Sequence, residues 1–557
     1  MINIYCNTDR YEYDIRALVM GFFPGETISY HYEMNSDIYN SDAGLNNTYD
    51  RDVMCTDEAG TGHISIYIEL GEYNMSVKAD NAGHVTYMED KSEPSVIHAD
   101  TNIAGRVKDS SSDWSGTDNA RDVIFSKIYR DTLKRLIYRV LSASLNRTLA
   151  WGTLTGVRPA KIPIKYLIEG YEPNNIIDRI VKEYYCSVEK ARLCTQVAET
   201  ELKILKDIGY ETGYSIYIGI PFCPTVCTYC SFSSTAVDGI PGADELMDEY
   251  ITALESECRA VKEMCSGRKL TSIYIGGGTP TALNERNLKR LMDIVQENYP
   301  VDSVFEYTVE AGRPDSINEA KLDILRAGGV TRISVNPQSM KQETLVSIGR
   351  RHTVRQTIEV YELARKHGFD NINMDLIAGL QGETTEDFAK TLEYIDKLQP
   401  DSFTVHSLVV KRASEYRKQR ELEKGNDGDR KALDRPDNKS VTEMMLDMAS
   451  EYAESAGYRP YYMYRQKNKA GLGDNPVLEN IGYAKSGKEG IYNILIMEER
   501  QTIIALGAGA SSKLVSNISL DDNTDQRIER IANVKNVREY IERTDEMIER
   551  KKRWMDA

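Results

Sequence analysis

A chain of 557 residues, 41% hydrophobic and 28% charged, has the composition of a globular protein with room for several domains, or for one large barrel with additions at both ends. Its formal net charge of −17 argues against general nucleic-acid binding, which relies on basic surfaces, and no run approaches the roughly 18 consecutive apolar residues of a membrane span. The first ten residues lack the basic start and long apolar stretch of a secretory signal, so a cytoplasmic location is expected.

Residues 1–115 alternate in the strand manner at 64–70 and 84–88, with Gly, Asn and Asp between, and predict a β-rich N-terminal domain closed by a polar linker at 110–117. Residues 116–210 form a helical connecting region, with apolar residues at helical spacing to about 145 and again from about 163 to 208. Short β-branched runs then alternate with helical segments: 216–220, 272–275, 305–309, 331–335, 371–377 and 402–406. This order predicts an α/β fold, an incomplete (β/α)6 barrel over 211–415, whose chemistry should gather at the C-terminal ends of the strands. Residues 416–557 predict a C-terminal α+β region. It contains a charged loop at 423–430, a helix over 438–456, strand-like runs at 492–497 and 506–510, and a charged terminal helix from about 525 to 554.

Nine cysteines are an odd number for a disulfide framework, and three of them crowd into Cys223-Pro-Thr-Val-Cys227-Thr-Tyr-Cys230, directly after the first barrel strand. Three thiolates on a short loop can bind three irons of a [4Fe-4S] cluster and leave the fourth open, whereas a closed zinc site wants a fourth ligand that the neighbourhood does not offer. Cys6, Cys55, Cys186, Cys194, Cys258 and Cys265 stand singly and read as inert thiols. The second strand ends in Gly276-Gly277-Gly278-Thr279-Pro280, where missing side chains leave backbone groups open to a ligand's close approach. The third ends in Glu310, whose carboxylate could accept from ribose hydroxyls; alone it would read as a solvated charge. Gln338, Arg350 and Asp375 lie at or near later strand or helix ends.

The cysteine spacing with the glycine element resembles the radical S-adenosylmethionine (SAM) superfamily, in which the open iron chelates SAM and one electron cleaves it to a 5′-deoxyadenosyl radical. Together the motifs over 213–415, with a weaker tail to about 515, resemble one family within it, the oxygen-independent coproporphyrinogen III oxidases. Trp151-Gly-Thr-Leu-Thr-Gly-Val-Arg-Pro-Ala-Lys161, Tyr464-Arg-Gln-Lys-Asn468 and the long N-terminal extension look like its HemZ-type branch. The resemblance implies cluster ligation by Cys223, Cys227 and Cys230. It implies one or two SAM molecules lined by Tyr217, Tyr229, Gly277, Gly278, Thr279, Glu310, Gln338, Arg350, Asp375 and Val409, with Tyr217 and Glu310 counted as catalytic. It further implies a tetrapyrrole substrate and an electron donor such as flavodoxin or ferredoxin. The sequence departs from the best-known branch at Phe232, where that branch has a further cysteine; a Phe there also occurs in relatives that act as haem chaperones. Three activities therefore stay open: conversion of coproporphyrinogen III to protoporphyrinogen IX, haem binding or transfer, and a radical reaction on haem. Lys411, Arg412, Arg465 and Lys467 are candidates for the substrate's carboxylates, and His352 and His406 for acid–base or axial ligand roles; solvated charge and packed imidazole are the competing readings.

Overall fold

The computed structural model describes residues 2–24, 26–32, 64–70, 74–81, 84–91, 117–230, 232, 234–408, 440–466, 479–516 and 527–556. They fall into two compact units, the first drawn from 1–156 and 177–191, the second from 157–176, 192–466 and 477 onward. Cys55, Val409, Lys411, Arg412 and Lys467, the polar linker at 110–116 and the charged loop at 423–430 lie outside the described residues.

The first unit is built on strands β1 (Ile2–Cys6), β2 (Ile28–His31), β3 (Ile64–Leu70), β4 (Asn74–Asn81) and β5 (His84–Lys91), in the order β2-β1-β3-β4-β5. Alternation decides its faces. Ile2, Ile4 and Cys6, Ile66 and Ile68, and Met75, Val77 and Ala79 turn inward and bury against Ile15, Leu18, Val19 and Phe22 of the helix Glu12–Phe22 and against the helix Thr117–Leu145. The first of these helices, absent from the β-rich expectation, is written in the i, i+3, i+4, i+7 spacing of those four residues. On the opposite face Tyr5 stacks between His31 and Tyr67, at 4.7 and 5.0 Å.

The second unit holds an eleven-stranded sheet. Its centre is six parallel strands: β6 (Gly213–Ile220), β9 (Lys269–Gly277), β10 (Glu306–Val309), β11 (Arg332–Ser334), β12 (Ile372–Ala378) and β13 (Ser402–Ser407). Helices connect them in sequence, the incomplete (β/α)6 barrel that the alternation predicts. Four of the connecting helices start at a residue whose side chain accepts an N–H of the first turn: Asn284, Asn318, Thr353 and Thr384. Between β6 and β9 the short β7 (Phe222–Cys223) and β8 (Thr235–Ala236) pair with each other across the cysteine loop.

The sheet does not stop at six strands. Beyond β13 come β15 (Glu479–Ala484), antiparallel to β13, and β14 (Arg459–Arg465), antiparallel to β15; beyond β6 come a further parallel strand, β16 (Thr502–Leu506), then β17 (Ser511–Ser516), antiparallel to β16, and β18 (Arg527–Ala532), antiparallel to β17. The C-terminal region thus feeds both edges of the barrel sheet. Three local expectations are corrected. Residues 506–510 are not a strand: β16 ends at Leu506 and β17 starts at Ser511, and Gly507 and Gly509 take positive φ in the turn between them. Residues 492–497 are not a strand but lie in the helix Ile491–Glu498, and 525–554 is not one helix but β18 followed by the helices Val537–Glu542 and Thr544–Asp556. A short run of apolar residues suits a strand or a buried helix equally, and the choice is made by Glu306 on β10, whose carboxylate accepts the N–H groups of Ile491 at 2.6 Å and Tyr492 at 3.4 Å.

The segment 151–161 has a structural part. Trp151 is buried in the first unit with Lys190 over its ring, and in the second unit Arg158 pairs with Glu499 at 2.6 Å while Val157 accepts the backbone N–H of Arg465.

Candidate functional site

Register sets the inner wall of the barrel. β6 and β9 place Ser215 beside Ser272, Tyr217 beside Tyr274 and Gly219 beside Gly276, while Ile216, Ile218, Ile273 and Ile275 point outward and are fully buried. Tyr217 and Tyr274 stack at 6.2 Å, and Tyr492, rising from the helix Ile491–Glu498, lies 4.4 Å from Tyr274 in near-parallel planes. This aromatic floor faces the C-terminal ends of the strands.

The cysteine loop is sewn to the glycine element by backbone. The N–H of Gly278 donates to the Ile220 carbonyl at 2.8 Å and that of Thr279 to the Phe222 carbonyl at 2.7 Å, and the Thr279 hydroxyl sits 3.5 Å from Cys223 Sγ. A Cβ on Gly278 would stand 2.5 Å from the Phe222 oxygen, and Gly277 holds φ at +108°. The glycines therefore serve first to let two backbones meet, and two N–H groups that the sequence reading left open to a ligand are already engaged. On its far side the loop is held by Thr228 N–H to the Ile348 carbonyl and by Thr225 Oγ1 to the Gly349 carbonyl.

Glu310, at the end of β10, folds its carboxylate over Gly276, where a side chain would collide with it at 2.8 Å. Burial pushes its carboxyl up to about 7, with bonds from Tyr274 (2.5 Å) and the Gly277 N–H opposing and the nearby Asp375 reinforcing the rise. At Asp375 burial also acts upward, but His406, 3.8 Å away, and a 2.7 Å bond from Asn373 outweigh it and leave the carboxyl below its usual range. Gln338 occupies the left-handed region at φ +65°, its backbone bonded to Asp375 and Ile377, and its buried Oε1 has no partner among the described residues. Arg350 donates to the Asn336 carbonyl at 2.6 Å and to Tyr229 Oη at 3.4 Å, which ties it to the cysteine loop; its buried Nε is likewise unbonded.

The described residues that the resemblance names for the cluster and SAM thus converge on one end of the barrel, and His406 joins them through Asp375, whereas Arg465 stands at the end of the edge strand β14 with its backbone bonded to Val157. His352 is different. It is fully buried, neither ring nitrogen has a partner among the described residues, and burial with the neighbouring Arg350 holds its pKa down at about 3. A neutral, enclosed imidazole of this kind suits packing. The sequence reading missed Tyr274, whose only signal was its place two residues before Gly276, and Arg313, whose signal was a strand end shared with Glu310. It missed Tyr492 because the helix that carries it had been read as a strand.

The arrangement suits the two implied groups. The cysteines carry no disulfide, are half-buried, and sit on a loop braced from both sides. Two buried, unbonded polar atoms, Gln338 Oε1 and Arg350 Nε, mark where a polar ligand would be received.

Comparison with known proteins agrees. Residues 217–395 match the model of the radical SAM superfamily. The chain is 38% identical over 454 residues, 81% of its length and 85% of the relative's, to the oxygen-independent coproporphyrinogen-III oxidase-like protein HemZ of Bacillus subtilis. It is 38% identical over 197 residues, 35% of this chain and 50% of the relative, to the heme chaperone HemW of the same organism. Among solved structures, the coproporphyrinogen III oxidase HemN of Escherichia coli aligns over 62% of this chain and 73% of its own, with 24% identity and a TM-score of 0.45. With the relative matched across most of both lengths and the cysteine loop, glycine element and strand-end carboxylates assembled at one barrel mouth, this chain belongs to the radical-SAM family of oxygen-independent coproporphyrinogen III oxidases and HemZ-like proteins.

Proposed function

We propose that this protein is a radical-SAM oxidoreductase that converts coproporphyrinogen III to protoporphyrinogen IX by oxidative decarboxylation of two propionates to vinyl groups. The observation that carries the reading is the likeness to the HemZ protein over 81% of this chain and 85% of that protein, which extends well beyond the 197 residues shared with the HemW chaperone. Cys223, Cys227 and Cys230 would hold a [4Fe-4S] cluster that with SAM would supply a carbon radical able to take a hydrogen atom from the propionate β-carbon, and each vinyl would then form with loss of carbon dioxide and one electron. The electron goes to a one-electron acceptor, and a small protein carrier such as flavodoxin or ferredoxin reduces the cluster.

In this reading the chain's own groups bind, orient and exclude water. Glu310 accepts from the ribose hydroxyls, the Gly277–Thr279 backbone meets the amino group of SAM through its carbonyls, its N–H groups being engaged, and Tyr217, Tyr229, Gln338, Arg350 and Asp375 complete the lining for one or two SAM molecules. The tyrosine floor closes the barrel beneath them. Reaction in the cytoplasm suits an oxygen-sensitive centre. Phe232, highly exposed beside the loop, favours the second reading, a haem chaperone that keeps the cluster and not the oxidation.

The test is an anaerobic assay of reconstituted protein with reductant, SAM, coproporphyrinogen III and an electron acceptor, read by mass spectrometry. Protoporphyrinogen formed through a monovinyl intermediate is expected. Stoichiometric haem binding without turnover of coproporphyrinogen would replace the oxidase with the chaperone. Cys223→Ala, Cys227→Ala and Cys230→Ala should each abolish the iron–sulfur absorbance and the reductive cleavage of SAM, and a variant that keeps both would remove that cysteine from the ligand set.

A further inference from the structure

Arg313 lies three residues beyond Glu310, under the cysteine loop, and is only 3% exposed. One edge of its guanidinium is clamped by the Asp315 carboxylate, Nε to Oδ1 at 2.9 Å and Nη2 to Oδ2 at 2.6 Å. The remaining N–H groups reach into the loop: Nη1 to the Thr225 carbonyl at 3.2 Å, Nη2 to Thr225 Oγ1 at 3.1 Å, and Nη1 to Cys227 Sγ at 3.6 Å. A planar fork that makes all of these bonds at once is a geometry lysine cannot copy. The clamp holds the guanidinium with Nη1 directed at the sulfur.

We infer that Arg313 is a positioning residue that sets the reduction potential of the cluster through its N–H bond to the Cys227 sulfur. The electrostatics give the sign. A [4Fe-4S] core on three thiolates becomes one unit more negative when it takes an electron from an external one-electron donor, no other bond forming or breaking. A fixed guanidinium charge with an N–H directed at a ligand sulfur, in surroundings poor in water, stabilises the more negative state and raises the potential. Asp315 offsets part of the charge at long range but none of the hydrogen bond, because it faces the other edge of the fork. The role is separate from that of Arg350, whose bonds go to Asn336 and Tyr229 and whose Nε points to no sulfur in the hydrogen-bond pattern. This inference rests on the cluster and not on the tetrapyrrole reaction.

The test is a reductive titration of the reconstituted full-length protein followed by electron paramagnetic resonance, with iron and sulfide assayed alongside and neither SAM nor tetrapyrrole present. That choice keeps its failure distinct from failure of the oxidase reading. Arg313→Gln is expected to hold a full cluster and to take its electron at a lower potential, by at least a tenfold change in the reduced-to-oxidised ratio, 59 mV for a one-electron couple. A potential equal to wild type with a full cluster would overturn the assignment. Should Arg313→Gln fail to retain iron, Arg313→Lys decides: a lowered potential supports the role, and an unchanged one overturns it. Loss of iron from both variants would also overturn it and make Arg313 a folding residue of the loop.

Discussion

At the scale of single residues, the site is governed by how burial and neighbours divide two carboxyls. Burial pushes the Glu310 carboxyl up to about 7 against the opposing pull of Tyr274, the Gly277 N–H and His406, while at Asp375 the bonds from His406 and Asn373 outweigh burial and hold the carboxyl below its usual range. On the proposed contact between Glu310 and the ribose of SAM, a ribose hydroxyl and a sulfonium cation both favour the carboxylate, and SAM binding below pH 7 then expels a proton. Affinity measured calorimetrically on anaerobic protein should fall about tenfold from pH 8 to pH 6, the slope approaching one proton per pH unit only below pH 7, and Glu310→Gln should bind more weakly with that dependence gone. In the free protein the sign is reversed. A carboxyl raised from 4.5 to about 7 contributes stability that is complete below about 4.5 and lost as pH rises through 7. Glu310 was legible in the sequence from its place at a strand end, but its proton was not, because that depends on burial inside the assembled barrel and on Asp375 arriving from another strand, against the bond from Tyr274.

At the scale of elements, the glycine run and the capped helix show how backbone contact decides what periodicity leaves open. Gly278→Ala would force a Cβ to within 2.5 Å of the Phe222 oxygen and should displace the loop that holds Cys223. The expected outcome is loss of most iron on reconstitution with an unchanged far-ultraviolet circular dichroism spectrum. Glu306→Ala removes the acceptor for the first N–H groups of the helix Ile491–Glu498, which carries Tyr492 into the barrel. Leaving buried N–H groups unbonded costs about 1–3 kcal/mol, visible as a lower urea midpoint. The motif Gly276–Pro280 could be found from the sequence; that its N–H groups are spent on Ile220 and Phe222 could not, since the partner carbonyls lie more than fifty residues away. The helix was misread for a similar reason. Its eight residues include three isoleucines and no internal breaker, and only the Glu306 carboxylate distinguishes its start.

At the scale of the whole molecule, the C-terminal segment is locked to the barrel by one buried charge. Glu257, on the helix Ala243–Met264, is fully enclosed and accepts from Gly507 N–H, Asn533 Nδ2, Tyr540 Oη and Lys551 Nζ at 2.6–2.9 Å. Lys551→Met would strand a buried carboxylate and should cost about 3–5 kcal/mol, read as a lower denaturation midpoint and as protease cleavage within Thr544–Asp556. The sequence alone determined the cysteine loop, the glycine element, Glu310 and the six-strand barrel order, because each is carried by residues adjacent in the chain or repeating with a local period. Only the tertiary structure decided that the C-terminal strands extend both edges of the barrel sheet, that Tyr492 and Arg313 belong to the site, and that Glu257 is the lock. Those outcomes depend on strand register and on hydrogen bonds between segments up to nearly three hundred residues apart, and no local pattern encodes such partners.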